Sequence, residues 1–228
     1  MILTMSGGVG SGKTISAVRQ AIVEAENNQV ITNFTIKGLK NHYRLKQGDI
    51  IVNHAEEGKK KDLEVNWDFW NEHKNCDIFL DEVHNMMNSR NSMSAENKKY
   101  SEWIAQIRKV WGASGDQNYL DALNRMNSNM FHKYHQEIYA RSNNIYFITQ
   151  KPRKIDVNIK DLVHVHIQCS KKMIKGRCVI FQAHFLGNDN ESGIEMMEYG
   201  AKPKMTYFLA DPYFNKYDSY EIIKGEYI

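Results

Sequence analysis

The sequence predicts an α/β fold: a three-layer sandwich with a mostly parallel central sheet, an antiparallel edge hairpin and a helical insertion. Three observations predict it. Short apolar runs at 2–5, 29–36, 77–80 and 145–150 alternate with longer stretches of helical or mixed character, as in a parallel sheet built from crossover units. A glycine-rich segment follows the first run at once and opens a helical pattern. Residues 162–168 alternate strictly between apolar and polar, and 178–185 answer them across a basic turn, as antiparallel partners do.

The first element is the strand Ile2-Leu3-Thr4-Met5. After it, Gly7-Gly8-Val9-Gly10-Ser11-Gly12-Lys13-Thr14 fits G-x-x-x-x-G-K-[ST], and Ile15, Val18, Ala21, Ile22 and Ala25 recur at helical spacing. Strand, loop and helix in that order make a phosphate cradle. Backbone N–H groups of the loop curl around the β-phosphate, Lys13 bridges the β- and γ-phosphates, and the Thr14 hydroxyl binds Mg²⁺. The helix N-terminus adds its partial positive charge. All eight residues from Gly7 to Thr14 are therefore candidate nucleotide-binding residues of a P-loop NTPase fold.

Residues 29–36 read as a second strand rich in β-branched side chains, 37–58 are mixed with a short strand at 49–52, and 58–62 form a charged loop. A short helix at 67–73 leads to the core strand 77–80, which ends in Asp81-Glu82. Two acids at the C-terminal end of a strand beside the phosphate loop have separate tasks. Asp81 would hold Mg²⁺ through a water, together with Thr14, and Glu82 would act as general base on the attacking water. With the loop, this pair predicts hydrolysis of ATP or GTP, ATP being far the commoner with such an acid pair.

Tyr100, Trp103, Ile104, Ile107 and Trp111 trace one helical stripe, and Tyr119, Leu120, Leu123, Met126, Met130 and Tyr134 trace another beyond the Gly-Ala-Ser-Gly turn at 112–115. These are expected to form a helical hairpin, with 112–137 as the insertion, packing on the sheet of the same domain. Residues 145–150 form a strand ending in Gln150, and the aromatic-rich C-terminal segment 205–228 is expected to pack against a single domain spanning 1–228.

A net charge of +3 among 228 residues excludes a binder of polyanions over its whole surface, so contact with nucleic acid must be local. Lys59-Lys60-Lys61 and Lys171-Lys172 with Lys175 and Arg177 are the candidate loops. Cys76, Cys169 and Cys178 lack a C-x-x-C pair and are expected as free thiols of a reducing compartment. No apolar run approaches 18 residues, and the first strand leaves no room for a leader, so a soluble, cytoplasmic protein is expected. His164, His166 and His184 could in principle converge on zinc, but their Gln168 and Gln182 neighbours point to an ordinary polar sheet face, and His132 and His135 lack further ligands.

The order of these parts resembles the FtsK–HerA branch of P-loop ATPases, and within it the Zot-like (zonula occludens toxin-like) group. The resemblance is carried by the loop at the extreme N-terminus, by Val30-Ile31-Thr32-Asn33, and by Asp81-Glu82-Val83-His84 followed by Arg90. Phe147-Ile148-Thr149-Gln150 and Tyr213-Phe214-Asn215-Lys216-Tyr217-Asp218-Ser219 complete it. It implies that Gln150 is a polar sensor of the γ-phosphate, between the strands bearing the two motifs. It also implies a homo-oligomeric ring, expected as a hexamer, in which an arginine reaches the neighbour's site. Arg141 matches that arginine best, with Arg108, Arg90 and Arg153 as alternatives.

The group usually continues into a membrane anchor, which this sequence does not show, and the insertion is a second departure. Together they shift the expectation toward the genome-packaging ATPases of membrane-containing viruses, which belong to the same branch. The expected activity is ATP hydrolysis coupled to sequence-independent movement of DNA into a capsid, with capsid or membrane-vertex proteins as partners. Two alternatives stand: an extrusion ATPase for filamentous virions, and a nucleotide-binding scaffold with little turnover. Toxin activity is not implied.

Overall fold

Side chains of β1 (Ile2–Ser6) point alternately into two different cores, and this alternation sets the architecture. Leu3 and Met5 join one core and Ile2 the other. The computed structural model describes residues 1–56, 59, 61–83, 94–111, 116–140, 143–152, 155 and 157–217. In sheet order its strands are β10 (Lys204–Leu209), β9 (Arg177–Leu186), β8 (Val165–Ile174), β1, β7 (Ile145–Thr149), β6 (Cys76–Leu80), β2 (Gln29–Thr32) and β3 (His42–Arg44). Every pairing from β8 to β3 is parallel, whereas β8–β9 and β9–β10 are antiparallel. Strands β1, β6 and β7 are buried at every position, because a parallel sheet is covered on both faces.

One face is covered by α1 (Lys13–Glu24), α4 (Asp116–Arg125) and α5 (Ser128–Tyr139), through Val18, Ala21, Leu120, Leu123 and Phe131. The other is covered by α2 (Trp67–Glu72), α3 (Ala95–Val110), α6 (Val157–Lys160) and α7 (Gly193–Glu198), through Trp70, Trp103, Ile104, Ile107 and Ile194. Each such side chain contributes roughly 1.5–3 kcal/mol by leaving water. A separate two-stranded sheet pairs β4 (Ile51–Asn53) with β5 (Leu63–Val65).

Several expectations change. The two helical stripes do not form a hairpin: α3 packs on one face of the sheet, and α4 and α5 on the other. The second stripe is also two helices, because Asn127 breaks it by accepting the Met130 N–H and capping α5. Strand β2 stops at Thr32, before the expected 36. The hairpin is longer than expected, since β8 and β9 stay paired out to Ile174 and Arg177 around a two-residue turn. Lys175 (φ 51°) and Gly176 (φ 78°) both take the left-handed conformation that such a turn requires. Nor is that hairpin the edge itself. Strand β10 lies outside it, anchored by the Lys204 ammonium, which donates to the Leu123 and Asn124 carbonyls at the end of α4 (2.7 and 2.9 Å).

Helix α1 is fastened to β7 through Glu24, whose Oε1 accepts from Gln20 Nε2 (3.1 Å), Asn144 Nδ2 (3.2 Å) and the Tyr146 hydroxyl. Burial, reinforced by the nearby Asp77 charge, holds the Glu24 pKa well above the ordinary carboxylate value. The folded chain thus keeps a proton that the unfolded chain releases, and this group's share of stability falls as pH rises above 4.5. Glu24→Gln keeps the accepting oxygen and cannot ionise. In thermal melts between pH 5 and pH 8 the variant should gain on the wild type as pH rises, by at most about 1.4 kcal/mol per pH unit. A constant offset would mean that Glu24 is charged in the fold.

Candidate nucleotide site

Between β1 and α1 the chain turns through Gly7 to Gly12, where Gly7, Gly10 and Gly12 all have positive φ and two of them also lack room for a Cβ. Gly12 has φ 90°, and a Cβ there would run into the Ile180 side chain on β9. A Cβ on Gly7 would come within 2.6 Å of the Cys169 carbonyl oxygen on β8. The loop is therefore seated on the hairpin. Helices α2, α3, α5 and α7 each have an N-cap side chain accepting a backbone N–H, and α1 has none. Its first N–H groups are left to face the loop, as an anion site needs. Lys13 is buried at the start of α1, and the Ser11 hydroxyl is buried without a hydrogen-bond partner among the described residues.

The acids come from the end of β6. The Thr14 hydroxyl donates to Asp81 Oδ2 at 2.9 Å, joining the start of α1 to the end of β6. Both oxygens suit a hard divalent cation. Asp81 is only 2% exposed. Burial first and the neighbouring Glu82 charge second push its carboxyl up to about 6, while the Thr14 bond, the Glu82 N–H and the Lys13 charge pull the other way. The backbone of Asp81 is gripped by Asn33 just past β2: its N–H donates to Asn33 Oδ1 (2.8 Å), and Asn33 Nδ2 donates to its carbonyl (3.0 Å).

Glu82 takes a left-handed conformation (φ 51°) unusual for a residue with a side chain, and its N–H donates to Asp81 Oδ1 at 2.8 Å. Gln150, just past β7, donates through Nε2 to Glu82 Oε1 at 3.2 Å. Because β7 lies between β1 and β6, Gln150 stands between the glycine loop and the acids. Loop, acids and amide thus meet at the C-terminal edge of three adjacent strands.

A family model for zonular occludens toxin (Zot) matches residues 1–219. The chain belongs to the Zot family. Among solved structures it is similar to the N-terminal domain of zonular occludens toxin from Neisseria meningitidis, at 18% identity over 95% of this chain and 98% of that one, with a TM-score of 0.49. It is also similar to the genome packaging NTPase B204 from Sulfolobus turreted icosahedral virus 2, in complex with ATP-gammaS, at 10% identity over 93% of each chain and a TM-score of 0.41. A KaiC-like protein from Pyrococcus horikoshii OT3 follows at 12% identity, over 91% of this chain and 88% of that one, with a TM-score of 0.32. All three scores lie below 0.5, so the family assignment stands on the match over 1–219. No curated protein matches this Zot chain by sequence.

The remaining site residues read from the sequence divide clearly. Arg90, Arg141 and Arg153 lie outside the described residues, as do the Arg108 side chain, Gly58 and Lys60. Lys59 pairs with Glu56 (2.6 Å) and Lys61 with Glu96 (2.5 Å), so both exposed charges have acidic partners. The histidines do not converge. His166 lies between the Thr4 and Ser6 hydroxyls, His184 bonds the Tyr139 and Thr206 hydroxyls, and the Ile2 N–H donates to His164. Burial drives His135 and His166 down to about 4 and His184 well below its usual value, so all three are neutral at pH 7. Among the described residues no group of three or more His, Cys, Asp or Glu is placed to hold a metal ion. All three cysteines are free and buried, and burial pushes the Cys169 thiol up to about 11. Of the C-terminal aromatics, Phe208, Tyr213 and Tyr217 pack inward, whereas Tyr199 and Tyr207 are exposed.

The grip of Asn33 on Asp81 is the feature that reading the sequence missed. Its signal was an amide directly after a strand that neighbours the acid-bearing one. Asn33→Ala removes both hydrogen bonds from a buried backbone and should cost about 1–3 kcal/mol of stability in urea melts. A loss below about 0.5 kcal/mol would mean that water replaces the amide.

Proposed function

We propose that this Zot protein is an ATP-hydrolysing motor that moves DNA without reading its sequence, loading a viral genome into its particle. The observation that carries the reading is the joining of Thr14 to Asp81 and of Gln150 to Glu82 beside a glycine loop that ends in Lys13. ATP is the triphosphate usual with this acid pair. Its phosphates would lie along the Gly7–Thr14 loop, with Lys13 on the β- and γ-phosphates. Mg²⁺, for which the Thr14 and Asp81 oxygens are suitable ligands, would offset the charge on those phosphates. Glu82 accepts a proton from the attacking water as its oxygen bonds to the γ-phosphorus, and ADP leaves with the bridging oxygen. Gln150 holds Glu82 before the reaction and reports loss of the γ-phosphate after it.

Arg141 is the proposed cation that a neighbouring subunit would insert, which makes turnover depend on a homo-oligomeric ring, a hexamer, in the host cytoplasm. DNA would be gripped by the β8–β9 hairpin, where Lys172 and Lys175 are exposed with no acidic partner among the described residues and Arg177 is exposed but paired with Asp211 (3.4 Å), in preference to the loop around Lys59 and Lys61, whose charges are both paired. Capsid or membrane-vertex proteins would anchor the ring. The Zot match also favours a second reading, assembly or extrusion of a filamentous virion.

Steady-state ATP hydrolysis across protein concentration, with and without double-stranded DNA, tests both readings. Specific activity that rises with concentration and with DNA supports the ring motor; turnover blind to both would sink it and favour virion assembly. Glu82→Gln should lower kcat about 10²–10⁴-fold while ADP still binds. Equal, slow hydrolysis by wild type and variant would reduce the protein to a nucleotide-binding scaffold.

A further inference from the structure

We propose that Lys171 is a second nucleotide lysine, which holds the phosphates nearest the nucleoside from the flank of the loop opposite Asp81 and Glu82. The inference rests on the nucleotide-binding reading above and sharpens it. Strand β8 runs parallel to β1, and their last paired residues are Ser6 and Gln168. From Cys169 onward β8 therefore has the glycine loop as its neighbour in place of a strand. The Cys169 carbonyl oxygen, lying against Gly7, marks the start of that contact.

Side chains of a strand alternate, so two adjacent lysines on β8 have different surroundings. Ile167 and Cys169 face the core shared with α1, and the Cys169 thiol donates to the Ser16 hydroxyl at 3.5 Å. Lys171 is next in that row. Its Nζ lies 3.9 Å from the position a Cβ would take on Gly10, in the middle of the loop. Lys172 faces the other way, with its Nζ 5.7 Å from the centre of the Phe181 ring. No carboxylate among the described residues pairs with Lys171. An ammonium beside the loop that also holds Lys13 adds to the positive charge that an anion bound there would meet.

The sheet order decides which phosphates it meets. Gln150, Asp81 and Glu82 all lie on the β7–β6 side of β1, where the bond to the γ-phosphate must break, and β8 lies on the opposite side. Lys171 therefore serves the end of the phosphate chain that ADP and ATP share. Its contribution is uniform binding, felt in KM and not in kcat.

Titration of the full chain with a fluorescent ADP, and competition by ATPγS, test this without DNA. Lys171→Met should raise the Kd for both nucleotides by the same factor, about 3- to 10-fold at low salt, and less as salt is added. Lys171→Arg should restore most of the affinity. Lys202→Met, which removes an exposed charge before β10, two strands from β8 and away from the end of β8 that carries Lys171, should bind like the wild type. Wild-type affinity in Lys171→Met would overturn the proposal and leave the nucleotide site intact. Weakening of ATPγS alone would also overturn it, by moving Lys171 to the γ-phosphate. Unchanged nucleotide affinity, with DNA stimulation lost when hydrolysis by the same variant is then measured with DNA, would overturn it by assigning Lys171 to the polymer. Failure of the wild type to bind either nucleotide, or equal binding by Lys13→Ala, would sink the nucleotide reading itself and this proposal with it.

Discussion

A carboxylate that must be buried and still be available as an anion constrains this protein more than any other group. Asp81 is almost sealed from water, and burial pushes its carboxyl toward the protonated form. Moving a carboxylate out of water costs several kcal/mol even after relaxation, so partners must offset much of that cost. They come from separate parts of the chain: the Thr14 hydroxyl and Lys13 charge from α1 and the Glu82 N–H from the chain after β6, while the Asn33 amide from the end of β2 holds the Asp81 backbone in place. Only a sheet with β2 next to β6, and β6 one strand from β1, brings those groups together. The strand order thus brings the hydroxyl, the N–H and the amide together at Asp81.

Glu82 shows the local cost of the same arrangement. A left-handed backbone at a residue with a side chain is unfavourable by about 1–3 kcal/mol, and persists only where its surroundings over-determine it. Here the Glu82 N–H is tied to Asp81 Oδ1 and its side chain to Gln150. A relaxed backbone at Glu82 would disturb both bonds. The strain therefore aims the acid across β7 at the amide that lies between the two motifs.

The glycine loop and the paired acids were legible because they stand in the sequence as consecutive residues, Gln150 entered as a site residue only through the family resemblance, and apolar runs gave β1, β6 and β7 within a residue or two. Strands β3 and β5 were not, since three residues are too few to show a period. The division between α4 and α5 was hidden because the apolar residues continue across it, and only the capping role of Asn127 reveals the break. Asn33 was quoted as part of a motif, yet its function lies in a bond to a residue far along the chain. The outer half of the hairpin looked like a basic turn. Polar residues on a strand exposed to water carry no hydrophobic pattern, so pairing out to Ile174 was not readable.

That longer hairpin changes how the site relates to the rest of the molecule. Its inner half touches the phosphate loop twice, through the Cys169 carbonyl at Gly7 and the Ile180 side chain at Gly12, and its outer half projects beyond the loop with Met173 64% exposed. Register is unbroken from Val165–Leu186 to Ile174–Arg177, and the left-handed residues lie only at the tip. Such a ribbon has no bulge to absorb a displacement at its base. For a motor of the proposed kind, a shift in the loop would move the exposed lysines with it, over one pair of strands and without a separate hinge. Alternation along β8 then separates two tasks one residue apart, with Lys171 turned to the loop and Lys172 turned away from it.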